Sequence, residues 1–189
     1  MLINGQRPEE LRVAIVADDR LENYLVDVAE SGLCRGNIYR GVVVGVQPQL
    51  NAAFIEFGAE RHGFLAAGDV VPQAYHRNAP KGESRPRIDQ VLERGKPVLV
   101  QVTKDASGRK GAALTTNLSL AGRYLVFMPT VEHVGISRRI ERDKDRRRLR
   151  DFVERNRPKG AGFIVRTVCG GQPLDNLKAD MDYLVRTWG

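Results

Sequence analysis

The stretch that most constrains the fold is residues 37–65, NIYRGVVVGVQPQLNAAFIEFGAERHGFL, in which apolar and polar side chains alternate through short runs. A period of two is the mark of strands with one buried and one wet face. In Ala53-Phe54-Ile55-Glu56-Phe57, the residues Ala53, Ile55 and Phe57 share one face, and Phe54 stands on the other beside Glu56. Phe64 follows in the next run. Two roles fit a pair of aromatics on the polar side of neighbouring strands. They form a platform on which nucleic-acid bases stack, or they cap the open end of a small barrel.

Further strands complete such a barrel. The pattern predicts strands over 37–46, 51–57, 61–65, 96–104 and 110–114, with Val98, Val100 and Val102 alternating with Leu99, Gln101 and Thr103. Five short strands punctuated by glycine suggest an OB-type β-barrel. Between the third and fourth strands lies an insertion, polar in its first half, with Pro72, Pro80, Gly82 and Pro86. Its second half predicts a short helix over 88–95, closed by Gly95. The turn Ser107-Gly108-Arg109-Lys110-Gly111 is basic. It reads as a solvated hairpin tip or as a phosphate contact made by Lys110.

On the amino-terminal side, residues 2–28 form a strand set with an acidic turn at Asp18-Asp19. Acidic residues are normal turn formers, so neither is assigned a catalytic role. A hairpin of this size needs partners elsewhere in the chain, and residues 31–36 have loop composition. On the carboxyl-terminal side, 118–128 is a continuous apolar strand region ended by Pro129. Residues 142–157 predict an amphipathic helix with Leu149, Phe152 and Val153 at helical spacing. Its arginines, Arg146, Arg147, Arg148 and Arg150, read as a solvated face ahead of a nucleic-acid grip. A strand over 162–167 ends on Arg166-Thr167, ahead of Gly170-Gly171. A guanidinium fork, a hydroxyl and free backbone N–H groups suit a terminal phosphate. A final helix is expected over 174–188.

Composition narrows the class. Thirty Lys and Arg against 23 Asp and Glu leave a formal charge of +7, which favours an anionic partner. No run approaches the roughly 18 apolar residues of a membrane span, and MLINGQRPEELRV lacks a signal-peptide layout. Cys34 and Cys169 sit in no CxxC or Cys/His array, so reduced thiols and a cytoplasmic location are expected.

The sequence resembles the amino-terminal part of the ribonuclease E/G family of bacterial endoribonucleases. The runs that carry the resemblance are MLIN with EELRVA, NIYRG, AAFIEFGAERHGFL, RGKPVLVQV, KGAALTT, SLAGRYLVFMP, GISRRIE and GFIVRT. It implies an α+β chain in which a five-stranded OB-type (S1) barrel interrupts a split RNase H-like α/β subdomain, with a 5′-sensor region adjoining. The implied boundaries are 1–35 and 173–189 for the two RNase H-like pieces, 36–116 for the barrel and 117–172 for the sensor. Phe54, Phe64 and Lys110 would contact single-stranded RNA. Arg166 and Thr167 would hold a 5′-monophosphate, with Gly122 and Val126 lining that pocket and Arg138 near it.

Family hydrolysis rests on Mg2+ held by carboxylates in a DNase I-like subdomain and on a structural Zn2+ at a CPxCxG element. The ligands of both are expected outside this chain. The resemblance therefore implies a member cut short that grips RNA and does not cut it, with the catalytic half missing. The competing reading is a stand-alone, non-catalytic RNA-binding protein of S1 type. Asp18, Asp19 and Asp27 do not assemble the carboxylate set of an independent metal-dependent nuclease.

Overall fold

Alternating Leu, Val and Ile positions draw the opening residues into a three-stranded antiparallel sheet of order β1-β2-β3, with β1 (Leu2–Arg7), β2 (Glu10–Ala17) and β3 (Arg20–Val28). The computed structural model describes residues 1–7, 10–17, 20–28, 34–77, 79 and 86–189. Asp18, Asp19, Pro80, Gly82 and residues 31–33 lie outside these. The chain divides into two compact units, Met1–Cys34 and Arg35–Gly189. In the first, β2 is the central strand, with Val13 opposite both Ile3 and Leu25, and Ala14 opposite Leu2 and Tyr24.

The second unit begins with the barrel. Its strands are β4 (Ile38–Gln47), β5 (Ala52–Glu56), β6 (Gly63–Ala66), β7 (Pro97–Lys104) and β8 (Ala113–Thr115), closed in the order β4-β5-β6-β8-β7. Neighbours pair antiparallel except β6 and β8, which run parallel. This is the five-stranded Greek-key order of the OB fold. Val43, Ala53, Ile55, Leu65, Val100, Val102 and Leu114 are buried, so the alternation read from the sequence is the inside and outside of the barrel.

Gln101 departs from that alternation. It stands among outward positions yet is buried, because its side-chain amide is fully engaged. Nε2 donates to the carbonyls of Gly36 (2.9 Å) and Ser119 (2.8 Å), and Oε1 accepts the Ser119 N–H (2.8 Å). A buried amide is tolerated when its hydrogen bonds are met.

The insertion folds back onto the barrel. Asn51, in the left-handed region at φ 47°, uses Oδ1 to accept the Ile88 N–H at 2.8 Å; asparagine is among the few residues that adopt this conformation readily. The predicted helix over 88–95 is a single turn, α1 (Ile88–Val91), with Leu92 already extended. Pairing with β4 ends it: Val43 donates to the Lys96 carbonyl and accepts from Gly95.

The remaining residues make a four-stranded sheet of order β11-β12-β10-β9, from β9 (Leu120–Ala121), β10 (Leu125–Met128), β11 (Val134–Ile136) and β12 (Gly162–Val165). Two helices, α2 (Asp143–Asn156) and α3 (Leu174–Trp188), cover one face of it. On that face Leu125 pairs with Val165 and Phe127 with Phe163, and both pairs pack with Leu149, Val153, Leu177 and Met181. The apolar run 118–128 was expected to be one strand. It is two, broken at 122–124, because a carboxylate from α3 takes up the backbone N–H groups there. An apolar run alone carries no sign of such a turn.

Candidate functional site

Phe54 of β5 and Phe64 of β6 are direct cross-strand partners. Their ring centroids lie 6.1 Å apart at an interplanar angle of 72°, an edge-to-face pair. Phe64 is the more open, at 37% exposure, and Phe54 is half-buried. Phe64 is thus the more accessible ring, and Phe54 packs against it. The two line a cleft of about 670 Å3 together with His62, Lys104, Arg109 and Lys110. Lys110 lies in a small hairpin, exchanging backbone hydrogen bonds with Ser107, and the Arg61 guanidinium donates to the Gly108 carbonyl at its tip. The structure therefore brings the three barrel residues singled out from sequence to one cleft. Sequence reasoning named Arg109 only as part of the basic turn and missed His62 and Lys104, whose place beside the rings depends on the β6–β8 closure.

A second constellation lies where β12 ends. Arg166 Nη1 donates to the Gly122 carbonyl at 2.6 Å and to that of Arg123 at 3.4 Å. Its Nε and Nη2, the edge suited to a two-point grip on an oxyanion, make no hydrogen bond among the described residues. Thr167 Oγ1 lies 2.8 Å from Ser137 Oγ, and exposed Arg138 follows Ser137 in the chain. Val126 pairs with Ile164 on the sheet face turned away from the helices. Ser137 was missed from sequence although it sits inside GISRR, since nothing local marks a hydroxyl pair formed across 30 residues.

The arginines of α2 divide by role. Arg146 Nη1 donates to the carbonyls of Ser137 (2.9 Å) and Ile140 (3.0 Å), and Arg150 donates to Val134. These two tie the helix to the loop that carries Ser137. At the end of α2, Arg157 pairs with Glu132 and Glu154, each at 2.8 Å, and those carboxylates raise its pKa.

Cys169 is buried one turn beyond Arg166, its thiol directed at the Tyr124 carbonyl at 3.1 Å. Burial pushes the thiol up to about 11. At pH 8 only about one such thiol in a thousand is ionised, so in a Cys34→Ser variant alkylation should be slow until denaturant is added. Rapid reaction of the native protein would contradict this burial. The sign for stability follows. The unfolded thiol ionises first, so this contribution is intact below its ordinary pKa and is lost as pH rises toward about 11.

No three His, Cys, Asp or Glu side chains converge among the described residues. No helix among them is long and apolar enough to cross a membrane.

The fold defines the class: an α+β protein built on a closed OB-type barrel with a paired-aromatic cleft. Residues 119–189 match the model of the Ribonuclease E/G family. The chain is 43% identical over 192 residues to ribonuclease E of Escherichia coli strain K12, covering 100% of this chain and 18% of that protein. It is 39% identical over 193 residues to ribonuclease G of the same strain, covering 99% of this chain and 39% of that protein. Ribonuclease E of Haemophilus influenzae is 43% identical over 190 residues, covering 100% of this chain and 20% of that protein. The chain belongs to the ribonuclease E/G family, and it spans about a fifth of these ribonuclease E relatives and about two-fifths of the ribonuclease G relative.

Proposed function

We propose that this chain is the RNA-binding and 5′-monophosphate-sensing part of a ribonuclease E/G-type endoribonuclease. In this reading it grips single-stranded RNA, and no residue of it is assigned a hydrolytic role. The observation that carries the reading is the open Nε–Nη2 edge of Arg166, held in place by carbonyls on its other side. A terminal phosphate receives two donors from that edge and a third from the Thr167–Ser137 pair, in which one hydroxyl donates to the other and leaves one O–H free. Away from the 5′ end, a base stacks on Phe64 while Lys104, Arg109 and Lys110 neutralise backbone phosphates. Three such contacts give log K against log [salt] a slope of about −2 for a single strand.

The test is fluorescence anisotropy with one short RNA carrying a 5′-monophosphate or a 5′-hydroxyl. The native chain should prefer the phosphate. Arg166→Ala should abolish the preference, a loss of about 1.5–3 kcal/mol for a hydrogen-bonded charge, and leave 5′-hydroxyl RNA bound as before. An equal loss on both RNAs would make Arg166 a general backbone contact.

A further inference from the structure

Asp180 lies on α3, 55–57 residues from the loop it contacts. Its Oδ1 accepts the Arg123 N–H at 3.1 Å, and its Oδ2 accepts those of Tyr124 and Leu125 at 2.9 Å each. Successive backbone N–H groups converging on one point form an anion-binding nest. Here the protein's own carboxylate fills it. Gly122 leaves the room, since a Cβ at that position would come within 2.5 Å of Asp180 Oδ2. The other side of the same loop holds Arg166. The Gly122 carbonyl accepts from its Nη1, and the Tyr124 carbonyl accepts from its backbone N–H at 2.9 Å.

We propose that Asp180 is a positioning residue for 5′-phosphate recognition, acting through the 122–125 loop on Arg166. The inference rests on the 5′-end reading above and adds a residue to it. By occupying the nest, Asp180 orients the Gly122 and Arg123 carbonyls toward Arg166 Nη1, which turns the Nε–Nη2 edge outward. It also withholds three N–H groups from the incoming phosphate, so that the phosphate has one location, at Arg166 and Thr167. Gly122 thereby serves the site through the space it gives Asp180.

The experiment compares 5′-monophosphate and 5′-hydroxyl forms of one RNA at fixed salt, against the native chain, Asp180→Ala, Asp180→Asn, Arg166→Ala and the Asp180→Ala/Arg166→Ala double variant. The native chain should prefer the phosphate by roughly tenfold or more, as expected for a charge-assisted contact. Asp180→Ala should bring the ratio near one and leave 5′-hydroxyl affinity within about twofold. Asp180→Asn, which keeps the shape and one acceptor, should restore part of the preference. The double variant should discriminate no worse than Arg166→Ala alone, since two residues acting on one contact are not additive. If Asp180→Ala does not fold, Asp180→Asn carries the test, and a native ratio in it overturns the proposal. So does a native ratio in folded Asp180→Ala, or an equal fall in both affinities. A native chain that fails to discriminate overturns the 5′-end reading itself, an outcome distinct from all of these.

Discussion

Phe163→Ala is expected to destabilise the second unit by about 3–5 kcal/mol, as truncation of a fully buried aromatic does. The ring is 0% exposed, lies 4.9 Å from that of Phe127, and belongs to the core that joins β10, β11 and β12 to both helices. Its neighbours Val153 and Leu177 are themselves fully buried and anchored on α2 and α3, so the void cannot close without moving a helix. Urea unfolding followed by far-ultraviolet circular dichroism measures the loss as a lower midpoint. Ile164→Ala is the internal control. One position along the same strand, Ile164 is 37% exposed and should cost well under half as much. Comparable losses for the two would mean that the faces of β12 are wrongly assigned. Because Arg166 and Thr167 follow directly on the end of this strand, Phe163→Ala should also weaken 5′-phosphate discrimination near its unfolding midpoint.

Phe64→Ala should weaken single-stranded RNA binding by about 1–3 kcal/mol, the usual worth of a base stacked on an aromatic side chain. Phe64 is the more exposed of the two and Phe54 packs against it, so Phe54→Ala should lose less, chiefly through the freedom it gives Phe64. The double variant should then fall short of the sum, as contacting residues do. Anisotropy at a single stated salt concentration measures all three. Unchanged affinity in a folded Phe64→Ala protein would return both rings to the role of barrel caps.

What could be read from the sequence was what depends on near neighbours. The barrel strands follow from alternation at Ala53, Ile55, Val98, Val100 and Val102, and α3 matches the predicted span because its apolar spacing is local. Arg166-Thr167 was visible as an abrupt polar end to a buried strand. The features that escaped are set by distant partners. Gln101 is buried because of Gly36 and Ser119. The break at 122–124 answers to Asp180, and Ser137 acquires its place only when Thr167 arrives beside it. A pattern of polar and apolar residues does not encode which carboxylate, of many on helical surfaces, finds three N–H groups waiting.

The Gln101 amide ties the two ends of the barrel together. One side-chain nitrogen touches the backbone just before β4 and again just after β8. The way in and the way out of the barrel are therefore adjacent. A module whose two ends meet can be set into a host fold without forcing apart the residues on either side, which is why insertions with close termini are so well tolerated. The same geometry makes the barrel portable. Cut at these two points, it leaves as one continuous segment, and a short bridge between the neighbours of Gly36 and Ser119 would rejoin the chain it left.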